Sequence, residues 1–168
     1  MKGLGRLTLA AVALSFAGPA GAGSFKTIEG WDLSSTLKTC SMATTFSDNV
    51  TISLIWAPST GDLGFMAALP HSYGLGAQRT AELQLSFDGN SRYSAWDDRQ
   101  ATIVDGKDAT GVIGNWGADH ADDLAKAVVA ASHVSVRVGD RDVGSYDLAG
   151  SPAAYQALLR CGKLLSGK

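Results

Sequence analysis

Seven consecutive residues, Ala81-Glu82-Leu83-Gln84-Leu85-Ser86-Phe87, alternate apolar and polar without a break. A period of two sends the apolar set to one face of a strand and the polar set to the other. The pattern returns in Val134, Val136 and Val138, which alternate with His133, Ser135 and Arg137, and in Val50-Thr51-Ile52-Ser53-Leu54. These are half-buried strands with one wet face. Leu83, Leu85, Phe87, Val134 and Val136 are the predicted core, and Glu82, Gln84 and Arg137 the predicted surface.

Turn signals separate the strands closely. Asp88-Gly89-Asn90 follows the first run at once. Asp105-Gly106 lies between Ala101–Val104 and Gly111–Ile113, a predicted hairpin. Gly139-Asp140 joins the Val-rich strand to a partner over Val143–Leu148. Short connections between strands make an antiparallel sheet.

Two helices interrupt the β pattern. Between 118 and 132, Ala121, Leu124, Ala125 and Val128 share one face at helical spacing. Asp119, Asp122 and Asp123 stand in its first turns, where the helix dipole favours negative charge. Over 151–161, Ser151 reads as an N-cap, Pro152 as the first helical residue and Gly162 as the stop. Ala154, Tyr155, Leu158 and Leu159 give that helix an apolar stripe, and Lys163 to Lys168 read as a fraying tail. The fold class that follows is mainly β: an antiparallel β-sandwich or open barrel with two helices, one near 118–132 and one near 151–161.

The start of the chain has a different character. Lys2 and Arg6 precede an uncharged, mostly apolar run from Leu7 to Ala17, and Ala20-Gly21-Ala22 follows with small residues. This is the layout of a secretory signal peptide cleaved before Gly23. The run is well short of the roughly 20 apolar residues that span a bilayer. Residues 1–22 are thus read as leader and 23–168 as a single globular domain. That domain carries 12 Lys+Arg against 16 Asp+Glu, a net charge of −4. Net acidity provides no electrostatic footprint for nucleic acid or for an anionic surface. The expected location is the periplasm or outside the cell.

Export puts Cys40 and Cys161 in an oxidising compartment, and the pair reads as a disulfide. Two thiols do not make a structural zinc site, which needs four ligands. They are also too far apart in sequence for a redox pair.

The chemistry-bearing residues are sparse. Asp119 and His120, with Asp122 and Asp123, form the densest ionisable cluster. Asp119 meets Asp122 or Asp123 on one helix face, but His120 points elsewhere. Complementing the helix dipole accounts for these acids without chemistry. His71 and Ser72 have the residue types of a hydrolase, yet adjacent side chains in an extended loop diverge, and no Gly-x-Ser-x-Gly elbow occurs. His133 belongs to the wet face of its strand. Trp96, beside Asp97 and Asp98, has the make-up of a sugar platform, and equally of a Trp over the core edge. Asn49-Val50-Thr51 matches a glycosylation triplet in a chain whose leader is bacterial in style. Ser59–Gly64 lacks the Lys of a phosphate loop. No catalytic, cofactor-binding or metal-binding set is predicted. His71, Asp119, His120 and Trp96 remain the candidate residues.

The closing stretch, Tyr146-Asp147-Leu148-Ala149-Gly150-Ser151-Pro152-Ala153-Ala154-Tyr155-Gln156-Ala157-Leu158, resembles the ending of small exported proteins of the invasion-associated locus B type. There, a last strand passes through a Leu-x-Gly turn into a short Ala-rich helix. Trp31 and Cys40 near the start are similar in layout. The resemblance implies a periplasmic β-sandwich without known catalysis and supplies no catalytic residues. The expected function is a non-enzymatic binding or accessory protein of the bacterial envelope, with a protein or envelope component as partner. An inhibitor or immunity-like protein against an envelope hydrolase is the first alternative. A hydrolase with a site assembled from distant residues, His71 and His120 foremost, is the second.

Overall fold

The computed structural model describes residues 23–75, 78–88 and 100–166. The leader and Trp96 lie outside them. Ten strands form one antiparallel sheet: β1 (Gly23–Ile28), β2 (Trp31–Ser35), β3 (Cys40–Thr45), β4 (Thr51–Ala57), β5 (Asp62–Leu69), β6 (Thr80–Phe87), β7 (Gln100–Asp105), β8 (Thr110–Trp116), β9 (His133–Val138) and β10 (Arg141–Asp147). Their spatial order is β1-β2-β3-β4-β5-β8-β7-β6-β9-β10. Helices α1 (Ala118–Ala130) and α2 (Ser151–Leu165) accompany the strands among the described residues. The sheet is open, with β1 and β10 at its edges.

The faces follow the alternation. Leu83, Leu85, Phe87, Val134, Val136 and Val138 are buried, while Glu82 and Arg137 are exposed. The hairpin through Asp105-Gly106 is formed, with Asp105 opposite Thr110. β6 divides its pairing. Thr80–Glu82 pair with β7, and Leu83–Phe87 pair with β9. This division turns the sheet, and Tyr146 near the end of β10 meets Phe46 and Asp48 in the β3–β4 connection.

Three polar contacts hold the turned part down. The Tyr146 hydroxyl donates to Asp48 Oδ2 at 3.0 Å, while its ring lies tilted against Phe46 with the centroids 4.7 Å apart. Burial, then the bond to Asp48, pushes the Tyr146 phenol well above its ordinary value. The Tyr73 hydroxyl donates to the Val143 carbonyl at 3.2 Å. Trp31 Nε1 donates to the Ala149 carbonyl at 2.9 Å.

Strand β5 was not legible as an alternating pattern because it has no wet face. Leu63 to Leu69 are buried throughout, and α1 packs against this strand. The alternation does not predict strands β1–β3. Their inward residues are few, Trp31, Leu33, Cys40 and Met42, set among Ser and Thr.

Helix α1 buries Ala121, Leu124, Ala125 and Val128, the predicted stripe, and ends at Ala130 because Ala131 is extended. Helix α2 packs on β2, β3 and β4. Cys40 and Cys161 are bonded, with their Cα atoms 6.1 Å apart. The bridge ties the last turns of α2 to the start of β3.

Two features of α2 correct the sequence reading. Its N-cap is Gly150, in the left-handed conformation at φ +79°, and Ser151 already lies inside the helix. A Cβ at Gly150 would meet the Glu29 carbonyl at 2.5 Å, so close approach of the β1–β2 turn also requires glycine. The Ser151 hydroxyl is used elsewhere. It donates to the Val128 carbonyl at 2.9 Å, one of the carbonyls that α1 leaves open at its C-terminus. Ser151 thus caps the other helix. Ser151→Ala should cost about 1–3 kcal/mol, because the Val128 carbonyl loses its partner in the core. Urea unfolding of the two proteins measures it.

Gly162 does not stop α2, which continues to Leu165 through part of the predicted tail. Gly162 is buried, and a Cβ there would lie 2.7 Å from Trp56 Nε1. The glycine is a packing residue that lets the helix meet the indole. Gly162→Ala should therefore destabilise by about 1–3 kcal/mol through overpacking, although alanine is favoured over glycine by about 1 kcal/mol in an open helix. A rise in melting temperature would show that the Trp56 contact yields freely.

Candidate functional site

The β5–β6 connection opens with a 3-10 turn, His71–Tyr73, following Pro70. The turn is pinned to β10. The Arg141 guanidinium donates to the Tyr73 carbonyl, and the Tyr73 hydroxyl reaches Val143. Leu75 behind it is buried. This placement carries His71 to the β7–β8 hairpin, where its Nδ1 lies 3.7 Å from Asp105 Oδ1. Thr110 Oγ1 donates to the same carboxylate oxygen at 3.2 Å. The structure therefore assembles a His–Asp–Thr group from two connections. Asp105, not Ser72, is the group His71 faces. Both members of the pair are about half exposed, 46% and 53% by side chain.

Sequence reading passed over Asp105 because Asp105-Gly106 is first a turn signal. Only the fold brings the hairpin to His71.

A second His–Asp contact joins His133 Nδ1 to Asp88 Oδ1 at 3.9 Å. Its chief role is local. The Asp88 carboxylate accepts from the His133 amide at 2.9 Å and from the Ser132 amide at 3.0 Å, closing the passage from α1 into β9. These backbone bonds hold its carboxyl below the usual range. A carboxyl whose pKa is lowered by folding contributes stability above its unfolded value, and that contribution is lost as pH falls through the folded value. Wild type and Asp88→Ala should thus differ most at neutral pH and converge in strong acid. Urea midpoints taken from neutral pH downward test this.

Asp119, His120 and Asp122 are exposed on α1, and Asp123 is partly buried. Asp119 alone belongs to the acidic first turn. Asp122 faces Tyr155 of α2, where burial first and the Asp122 charge second push the phenol up. Among the described residues, no three His, Cys, Asp or Glu converge as a metal site. No described helix is long and apolar enough to cross a membrane.

The outer face of β6, β9 and β10 carries a shallow groove of about 360 Å³. Gln84, Ser86, Ser135, Arg137, Asp142 and Gly144 line it. Arg137 Nε donates to Asp142 Oδ1 across the strands at 2.7 Å, which raises the arginine and lowers the carboxyl. A bulge between Asp142 and Gly144 widens the edge. The alternation places Gln84, Ser86, Ser135 and Arg137 on a wet face but does not reveal a groove.

No protein family, curated protein or solved structure gives a significant match to the chain.

Proposed function

We propose that the protein is an exported, non-enzymatic binding or accessory protein of the bacterial envelope. The observation that carries this reading is the groove over β6, β9 and β10. Its rim offers an amide, hydroxyls and an ion pair, and it borders the edge strand β10. Such a surface suits an extended polar polymer, for which an exposed strand edge supplies main-chain hydrogen bonds. A protein segment is the occupant this argument favours. The leader and the single disulfide support an extracytoplasmic setting. The closing strand, Leu148-Ala149-Gly150 turn and helix α2 support a relation to the locus B type of exported protein.

The test is capture from an envelope extract by the oxidised chain 23–168, beside a Ser135→Trp variant. Ser135 is exposed, so the indole fills the groove without entering the core. A stoichiometric partner that Ser135→Trp loses supports the reading. A partner retained by both proteins places binding elsewhere. The His71–Asp105 contact favours one second reading, a hydrolase. Turnover on a substrate panel that His71→Ala abolishes would establish it instead.

A further inference from the structure

Three large apolar residues are exposed among the described residues: Leu37 at 96%, Leu164 at 84% and Leu165 at 38%. Single exposed leucines are ordinary. These three are not scattered. Leu37 is at the β2–β3 hairpin tip, three residues before Cys40, and Leu164 is in the last turn of α2, three residues after Cys161. The Cys40–Cys161 bond brings hairpin tip and helix end to the same end of the molecule.

At the helix end lies a groove of about 410 Å³, bounded by the edge strand β1, β2 and α2. Ile28, Ala157, Leu164 and Leu165 make its apolar lining, and Lys26 and Arg160 stand in it with no carboxylate among the lining residues. Lys38 adjoins Leu37 in sequence, and Lys163 adjoins Leu164; both lysines are exposed. Four cations thus accompany three exposed leucines in a domain of net negative charge. Net charge describes the whole surface and conceals this local clustering.

Apolar side chains able to enter a lipid interface, beside basic residues able to meet phosphates, are the two signals that peripheral membrane binding requires. We propose that this end of the molecule docks on an anionic phospholipid bilayer. Leu37, Leu164 and Leu165 enter the interface, and Lys26, Lys38, Arg160 and Lys163 face the lipid phosphates. The inference stands apart from the groove over β6, β9 and β10, and Ser135→Trp leaves it untouched.

The experiment is co-sedimentation of the oxidised chain 23–168 with vesicles, in the absence of any leader. One set contains phosphatidylglycerol and phosphatidylethanolamine, the other phosphatidylcholine alone. Binding to the anionic set is expected, weakened by salt, and absent on phosphatidylcholine. Leu37→Ser with Leu164→Ser should weaken it by about tenfold or more, as should Lys26→Glu with Arg160→Glu. All four positions are exposed, so an unchanged melting curve confirms that each variant is folded. Protein left in solution with both vesicle types overturns the proposal. So does equal sedimentation of the leucine variant and wild type. A dimer in solution that the leucine variant breaks, without lipid binding, assigns the surface to a second copy instead.

Discussion

Replacing both Cys40 and Cys161 with alanine should lower stability by about 4–5 kcal/mol on the chain-entropy account, with measured losses of this kind falling at about 2–5 kcal/mol. The bridge spans 121 residues of sequence, nearly the whole described domain. Almost every conformation of the unfolded chain is therefore restricted by it. A domain of this size has a net stability of roughly 5–15 kcal/mol, so the loss is a large share of the total. Urea unfolding of the oxidised, reduced and double-alanine proteins measures it. The reduced and alanine proteins should share a lower midpoint and a steeper denaturant dependence, because their unfolded chains expose more surface. Equal midpoints for oxidised and reduced protein would mean that α2 docks without help from the bond.

The second large effect is expected at Trp31. The ring is 1% exposed and its Nε1 holds the Ala149 carbonyl at the entry to α2. Trp31→Ala should cost about 3–5 kcal/mol, as large-to-small changes of a buried aromatic do. Trp31→Phe keeps most of the apolar contact but removes the donor, and should cost about 1–3 kcal/mol. The ranking wild type, Phe, Ala in denaturation midpoint is the test. If Phe is as damaging as Ala, the hydrogen bond outweighs the ring's packing.

Where local pattern and tertiary need coincide, the sequence was readable. Leu83, Leu85, Phe87, Val134 and Val136 alternate because one side of their strands meets the core. Ala121, Leu124, Ala125 and Val128 recur at helical spacing for the same reason. Where the two diverge, local rules misled. Ser151 has the chemistry of an N-cap, but its hydroxyl serves the open end of α1. Gly162 has the chemistry of a stop, but its lack of a side chain serves Trp56. In both cases the deciding partner lies far away in sequence, and no window around the residue contains it. The site follows the same division. His71 was visible as a titratable residue, whereas Asp105 became its neighbour only through the fold. The cations beside Leu37 and Leu164 are dispersed along the chain, and the disulfide and the β1–α2 groove collect them.

The docking of α2 on β2, β3 and β4 also orders events in time. A chain that emerges amino end first delivers its opening strands long before their cover exists. Trp31, Leu33 and Met42 belong to strands against which α2 closes, and α2 follows all ten strands along the chain. Until it arrives, that face of the young sheet is bare to water and the Cys40 thiol lacks its mate. Contacts of such long sequence separation close slowly, and bare strands invite association with other chains. The residues of α2 therefore act as the latch of the fold. A truncation that removes them should leave a sticky, unlatched sheet, and wrong intermolecular bonds through Cys40 should accumulate.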